Sequence, residues 1–531
     1  MKIPAASIER LEARIAPAAL NPAGNVLTYT DVDGDFVKIT FTGGAVVNQG
    51  NFSFFSGFLP GDTTTPQILN ILTLTGKTGA GFTLTATPKP GQGDSHANIF
   101  TIDADGTDLG KINVDGDVGE ITAGTGDPGT VGLKSFTAFS MGQNLATNSY
   151  LSILKNVGAF TVKTDVSNEE LRFTGGVKSL SIGGDLRELR DAPAKLNITG
   201  DVGSLKIGGS VIGRASTEGN IIVDGALGTL SIGGSIIGGD EPVFSFRQVY
   251  VGPVKTFSVG GDLVGGLGQY SGSVSLASVG TARIGGSIIG ADNARFSGIF
   301  TVGGDATSVT IGGSVLGGNA TSGAVFFNGL MEFGGKVGNL KLGHDLIGGR
   351  EDGGTLTESG MITVVGTIGT MTVGGSITGD STHAAYISVG GGGTTTALAA
   401  IKTLNVKGSL VHARLLAGYD FGSAQKNLDS GFGSITIGGS LAASTITAGS
   451  SKGTDGIPGT SDDTAVSTVA TIGSVKIGGA FRGVAGSSTL FYLYAPIVNK
   501  LTVAKASYNH AQLMAVVHFD SIGKATALSV L

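Results

Sequence analysis

Apolar and polar residues alternate along this chain in short bursts that end on pairs of glycine. The clearest is Ser204-Leu205-Lys206-Ile207-Gly208-Gly209-Ser210-Val211-Ile212-Gly213, and it returns from Thr229, Thr281, Ser308 and Thr370. Weaker copies open at Ser179, Thr256, Asn339, Thr403, Ser434 and Ser474. Alternation with period two predicts a strand, because successive side chains leave opposite faces. The opening position of every copy is Ser, Thr or Asn. The next position is always apolar: Leu180, Leu205, Leu230, Phe257, Ala282, Val309, Leu340, Met371, Leu404, Ile435 and Val475. Stacking such strands in register puts apolar rows inside and hydroxyl rows outside, where they could bond between coils.

The first glycine of the pair falls at 183, 208, 233, 260, 285, 312, 343, 374, 407, 438 and 478, with Lys407 standing in once. The steps are 25 to 33 residues until the last, which is 40. A fixed unit with loops of variable length is the signature of a solenoid. A second strand precedes each burst, as in Asn197 to Gly203 or Ile221 to Gly228, and a third follows the glycines, as in Ser235 to Gly238. Three short strands per coil predict an all-β, right-handed parallel β-helix, a β-solenoid of about 25-33-residue coils, since parallel crossovers are nearly always right-handed. The glycine pairs are expected to turn the corner at positive φ. The Ser or Asp that follows (Ser210, Ser235, Asp262, Ser287, Ser314, Asp345) is expected to cap the corner's free amides. A phosphate-cradling glycine loop would occur once, between a strand and a helix, rather than in periodic copies.

Four regions follow. Residues 1–20 are an amphipathic segment with Ile8, Leu11 and Ile15 on one helical face, read as a sorting motif or a cap. Residues 21–108 form a β-rich N-terminal module, a cap on the solenoid. It has a hairpin of Val26 to Thr30 and Phe36 to Thr42, strands over 68–75 and 81–87, and a loop at 88–93. The parallel solenoid occupies 109–483. Capping strands fill 484–531, at Leu490 to Tyr494, Lys500 to Val503 and Ala527 to Val530.

Composition narrows the function. Glycine supplies 93 of 531 residues without a G-X-Y period, which excludes collagen. The 40% apolar content is too regularly placed for a disordered chain. A net charge of -6 without a basic cluster argues against nucleic acid as a partner. With no cysteine there is neither a disulfide framework nor cysteine-ligated zinc. No apolar run is long enough for a transmembrane helix, and no standard signal peptide is visible.

Leu11-Glu12-Ala13-Arg14-Ile15 with Ala16-Pro17 resembles a degenerate LEPR-XLL motif, which sits near the N-terminus of large repetitive proteins of environmental bacteria. Ala13 stands where that motif has Pro, and Ala16-Pro17 where it ends in leucines. Over most of its length the chain is also similar to the Gly-rich, IGGS-type repeat surface proteins of such organisms. The resemblance implies an extracellular or cell-surface location and carries no activity with it.

Two acidic loops bear on metal binding. Asp455, Asp462 and Asp463 lie on a glycine-rich loop inside the 40-residue interval, a set suited to calcium, which takes flexible oxygen ligands. Asp31, Asp33 and Asp35 have the 1-3-5 spacing of a calcium loop. However, Gly34 is displaced and Thr42 stands where a bidentate Glu belongs, so a hairpin turn is preferred there. Catalysis finds little support. The outward mid-strand column (Ser181, Lys206, Ser231, Ser258, Arg283, Thr310, Lys341, Thr372, Asn405, Thr436, Lys476) has cations but no acid, and the six histidines are scattered. These features predict a non-catalytic structural or adhesive repeat protein displaying loops to cell-surface glycan or matrix. The alternative is a carbohydrate-active β-helix enzyme or a glycan-binding rod. It requires carboxylates brought together by the loops at 239–252, 318–330, 350–360, 380–400 and 412–432.

Overall fold

The computed structural model describes residues 18–55, 68–91, 93–127, 130–143, 149–188, 194–214, 220–240, 248–393, 398–420, 424–460, 462–482 and 492–509. The helix expected over 7–15, the LEPR-like residues and the strand expected at 527–530 lie outside them. Among the described residues, helix is confined to one 3-10 turn, Gln49–Asn51. The rest is strand and connection: stacked parallel coils forming a β-solenoid of about 14 turns, with a coil spacing of about 27 residues. No helix among the described residues is long and apolar enough to cross a membrane. The chain falls into two compact units, Met1–Gly183 with Ile198–Gly200, and Gly184–Asn197 with Asp201–Leu531.

In the first unit the predicted hairpin forms with its predicted bounds, Val26–Thr30 against Phe36–Thr42, antiparallel, with Thr30 opposite Phe36. Phe36–Thr42 pairs antiparallel with Gly81–Thr87, and that strand pairs parallel with Leu109–Gly124 on its other side. Gly81–Thr87 is therefore the strand where the sheet changes from hairpin to coil. Parallel pairing also joins Ile68–Thr73 to Ile99–Asp105. From there each coil seats on the one before, Leu109–Gly124 on Val131–Met141 and then Asn156–Val162 on Val177–Ile182.

The second unit repeats three strands per coil, as in Ile221–Val223, Leu227–Ile232 and Ile236–Ile237. Its register matches the sequence columns residue for residue. Thr229, Thr256, Thr281, Ser308, Asn339, Thr370, Thr403, Ser434 and Ser474 stand on one another coil after coil. The apolar column beside them, Leu230 to Val475, is buried throughout. Each such aliphatic side chain contributes about 1.5–3 kcal/mol by leaving water. Phe257, Phe300 and Phe333 add a ring row in the same core, with centroids 6.0 and 6.1 Å apart.

The glycine pairs work differently from the expectation. The pair glycines Gly208, Gly209, Gly233, Gly234, Gly260 and Gly261 are absent from the residues of positive φ. What they require is space. A methyl on Gly233 would run into the carbonyl oxygen of Gly208, and one on Gly234 into Ser210 Oγ. The coils touch backbone to backbone at this corner, and the missing side chain of glycine makes room for that approach, with Lys407 and His344 the two departures among the eleven copies. The left-handed positions lie at another corner, Gly272, Gly298, Gly329 and Gly360, with φ between 57 and 67°.

Close approach lets the following Ser or Asp bond to the next coil rather than to its own corner. Asp185 Oδ1 accepts from Ser210 N, Ser210 Oγ from Ser235 N, Ser235 Oγ from Asp262 N, and Asp262 Oδ1 from Ser287 N. The ladder continues through Ser287, Ser314, Asp345, Ser376, Ser409 and Ser440 to Ala480 N. Rungs accepted by aspartate are 2.6–2.7 Å and those accepted by serine 3.0–3.2 Å, as charge-assisted bonds should be shorter. The longest, Asp345 N to Ser314 Oγ at 3.2 Å, falls where His344 replaces the second glycine.

Candidate functional site

The acidic loop of the sequence leaves its coil on a short antiparallel stem, Ser450–Ser451 with Thr464–Ala465. Its carboxylates are served by the loop's own donors. Asp462 Oδ1 accepts from Thr460 Oγ1 at 2.7 Å, and its Oδ2 from Thr454 Oγ1 at 2.8 Å and Asp455 N at 3.0 Å. The hydroxyl bonds, Thr460 first, hold the Asp462 carboxyl well below the usual carboxylate range. Asp463 is buried and accepts from Gly459 N at 2.7 Å, and burial pushes its pKa up. Asp455 Oδ1 takes Ile457 N at 2.8 Å. The three acids therefore brace a turn, each with its own set of donors.

Convergent carboxylates appear instead in the first unit. Among the described residues, the acidic group whose ligand oxygens all come within 4.8 Å of one another is Asp31, Asp33 and Asp35. The hairpin supplies them by geometry: five residues join Thr30 to Phe36, and the acids take every second place in that turn. Asp31 and Asp35 are buried and Asp33 is exposed. Asp31 Oδ1 accepts Asp35 N at 2.8 Å and Gly34 N at 3.2 Å. A turn sixty residues on closes over the group: Asp94 N donates to Asp33 Oδ2 at 3.0 Å and Ser95 N to Asp35 Oδ2 at 2.8 Å. Burial, above all, pushes Asp31 up to about 7, with the hydrogen bond it shares with Asp33 adding to the shift. That same bond lowers Asp33, while burial raises Asp35.

In the second unit a column of side chains changes character from coil to coil. Tyr270, Phe296 and Phe327 stack face to face, with centroids 4.9 and 5.5 Å apart. Glu358 occupies the equivalent place in the next coil, and all four residues have φ between 49 and 59°. Each stands two residues before a left-handed glycine, in Tyr270-Ser271-Gly272, Phe296-Ser297-Gly298, Phe327-Asn328-Gly329 and Glu358-Ser359-Gly360. Glu358 Oε2 is buried without a hydrogen-bond partner, and burial raises the carboxyl's pKa. Tyr386 packs beside Phe296 and Phe327 against Ile299, Leu330 and Met361. It accepts from Arg414 Nη1 at 2.7 Å, and the guanidinium carbon lies 5.3 Å from the ring centroid. Burial raises the Tyr386 pKa, Arg414 lowers it, and Glu358 and Asp455 add to the rise. Thr445 Oγ1 anchors the acidic loop by donating to Gly459 O at 3.1 Å.

A half-buried carboxyl whose pKa burial raises, a phenol and a guanidinium thus lie on neighbouring coils, off the mid-strand column. A visible signal marked the place, since aromatic–Ser/Asn–Gly recurs in three coils and Glu358 breaks it in the fourth. The chain matches no protein-family model, no curated protein and no solved structure.

Proposed function

We propose that the chain is a non-catalytic display scaffold of the cell surface or extracellular matrix. In this reading stacked coils hold inserted loops rigidly for adhesion to glycan or matrix. The observation that carries it is the side-chain ladder from Asp185 to Ala480. Over that span it ties each coil to the next at the corner where glycines bring the backbones together. Such a stack is stabilised by neighbour-to-neighbour contacts, so it tolerates loops of any length between strands. The acidic insertion at 450–465 is one such loop, stiffened by its own carboxylates. The LEPR-like segment and the kinship of the repeats support the location.

A glycan-handling face is the second reading, favoured by Glu358, Tyr386 and Arg414 standing together. A glycan array followed by product analysis separates the two. Binding without product release, weakened by deletion of 452–463, is the expected result. Release of cleaved sugar, lost in both Glu358→Gln and Tyr386→Phe, would overturn the scaffold reading in favour of an enzyme.

A further inference from the structure

We propose that Asp31, Asp33 and Asp35, closed over by the turn at 93–95, bind a divalent cation of calcium's class. Three carboxylates with oxygens inside 4.8 Å repel one another, and two of the three are out of water. Such a group is stable only if protons or a cation neutralise it.

The second observation lies within the group. Asp35 is completely buried, and while its Oδ2 accepts Ser95 N, its Oδ1 has no hydrogen-bond partner. Tyr29 is also buried with its hydroxyl unpartnered, close enough for Asp31 to act on it electrostatically. Buried polar atoms left unmet are costly, more so when charged, and a ligand that meets them is one way a native fold accommodates them. A cation meets the carboxylate oxygens at once.

Charge excludes an anion, and the donor set selects among metals. The candidate ligands are carboxylate oxygens, the preference of hard cations rather than of zinc or copper. Calcium accepts an irregular oxygen set, whereas magnesium demands near-octahedral geometry. The helix–loop–helix pattern does not apply, since Gly34 and Thr42 break it. The 93–95 turn does the closing instead: Gly93, at φ 81°, lies so close to Asp35 Oδ1 that any side chain there would overlap it. Asp94 adds a fourth carboxylate within electrostatic reach of Asp35.

The test uses the full chain, stripped with chelator and titrated with calcium by calorimetry, then with terbium, whose emission reports a tyrosine nearby. Three variants accompany it: Asp33→Asn, Asp35→Asn and the loop double Asp455→Asn/Asp462→Asn. Asp33 is exposed, so its amide variant folds even if Asp35→Asn does not. The wild type and the loop double are expected to bind one calcium at the hairpin with terbium emission excited through tyrosine. Asp33→Asn should bind roughly 100-fold more weakly, because affinity follows ligand charge. Magnesium should compete poorly. The proposal is overturned if Asp33→Asn binds calcium as the wild type does. It is also overturned if only the loop double loses binding, or if the wild type takes up none at about 10 mM, beyond the range of weak extracellular sites.

Discussion

Removing one aspartate rung tests the physics of the ladder directly. Asp262 Oδ1 accepts Ser287 N at 2.6 Å, and Asp262 N donates to Ser235 Oγ at 3.0 Å. In Asp262→Ala the second bond survives, because it uses the backbone, while Ser287 N loses a charged acceptor in a part-buried corner. Hydrogen bonds to charged groups contribute about 1.5–3 kcal/mol, and partial exposure places this one near the lower end, about 1.5 kcal/mol. Asp262→Ser copies the neighbouring rungs and should recover roughly half of that, since a neutral bond contributes about 1 kcal/mol or less. Coil stacks respond locally, so hydrogen exchange by mass spectrometry is the sharper assay, with urea denaturation beside it. A loss of about 1.5 kcal/mol corresponds to roughly tenfold faster exchange at the Ser287 amide. Asp224, exposed and off the ladder, provides the control. The reasoning fails if Asp262→Ala costs no more than Asp224→Ala, or if Asp262→Ser is as damaging as alanine.

Two glycines of positive φ should part company. Gly323→Ala, at φ 71° with open space around it, should cost about 1–2 kcal/mol for the left-handed backbone alone. Gly329→Ala, at φ 57° with its methyl driven into Leu316 O, should cost more than that; equal melting temperatures for the two would refute the contact. Glu358 makes a pH prediction. Its folded pKa lies above the ordinary 4.5 because burial disfavours the charge, so the folded chain binds this proton more tightly than the unfolded one. The resulting destabilisation is absent at acid pH and grows as pH rises past about 4.5. Glu358→Gln should therefore melt with the wild type near pH 4 and above it at pH 7, and a gap independent of pH would contradict the assignment.

Register was legible because it is written twice, once in a hydroxyl column and once in an apolar one, and a one-residue slip would expose the whole core. The role of the glycine pair was not, since two physical demands select the same residue. A left-handed turn and a backbone contact both read as glycine, and distances between coils tell them apart. Gly233 and Gly234 prove to be contacts at ordinary φ, whereas Gly298 and Gly329 are left-handed turns that also touch a backbone carbonyl. The outer hydroxyls were credited with bonding between coils, but the structure gives that bonding to the residue after the pair, whose partner lies one coil away and 25 to 40 residues along the chain.

The same distance rule governs the sites. Spacing marks Asp31, Asp33 and Asp35 only as a hairpin turn, and what closes over them is the turn at 93–95, contributed by a different loop. Conversely, Asp455, Asp462 and Asp463 read in sequence as a set suited to calcium and are met by donors only a few residues away. Glu358 was hidden for a third reason. A lone Glu in a loop is unremarked until the coils are aligned and it is seen to replace a ring in the series Tyr270, Phe296, Phe327. In a repeat protein the informative residue is the one that departs from its column, because the fold has already accounted for the rest. Glu358 departs by trading a stacked ring for a carboxyl, Tyr386 and Arg414 follow on the next two coils, and the acidic insertion docks on the coil after that. Glu358 breaks the ring column while Tyr386 and Arg414 continue the neighbouring Leu330–Met361 column, so the departures gather on successive coils of two adjacent columns.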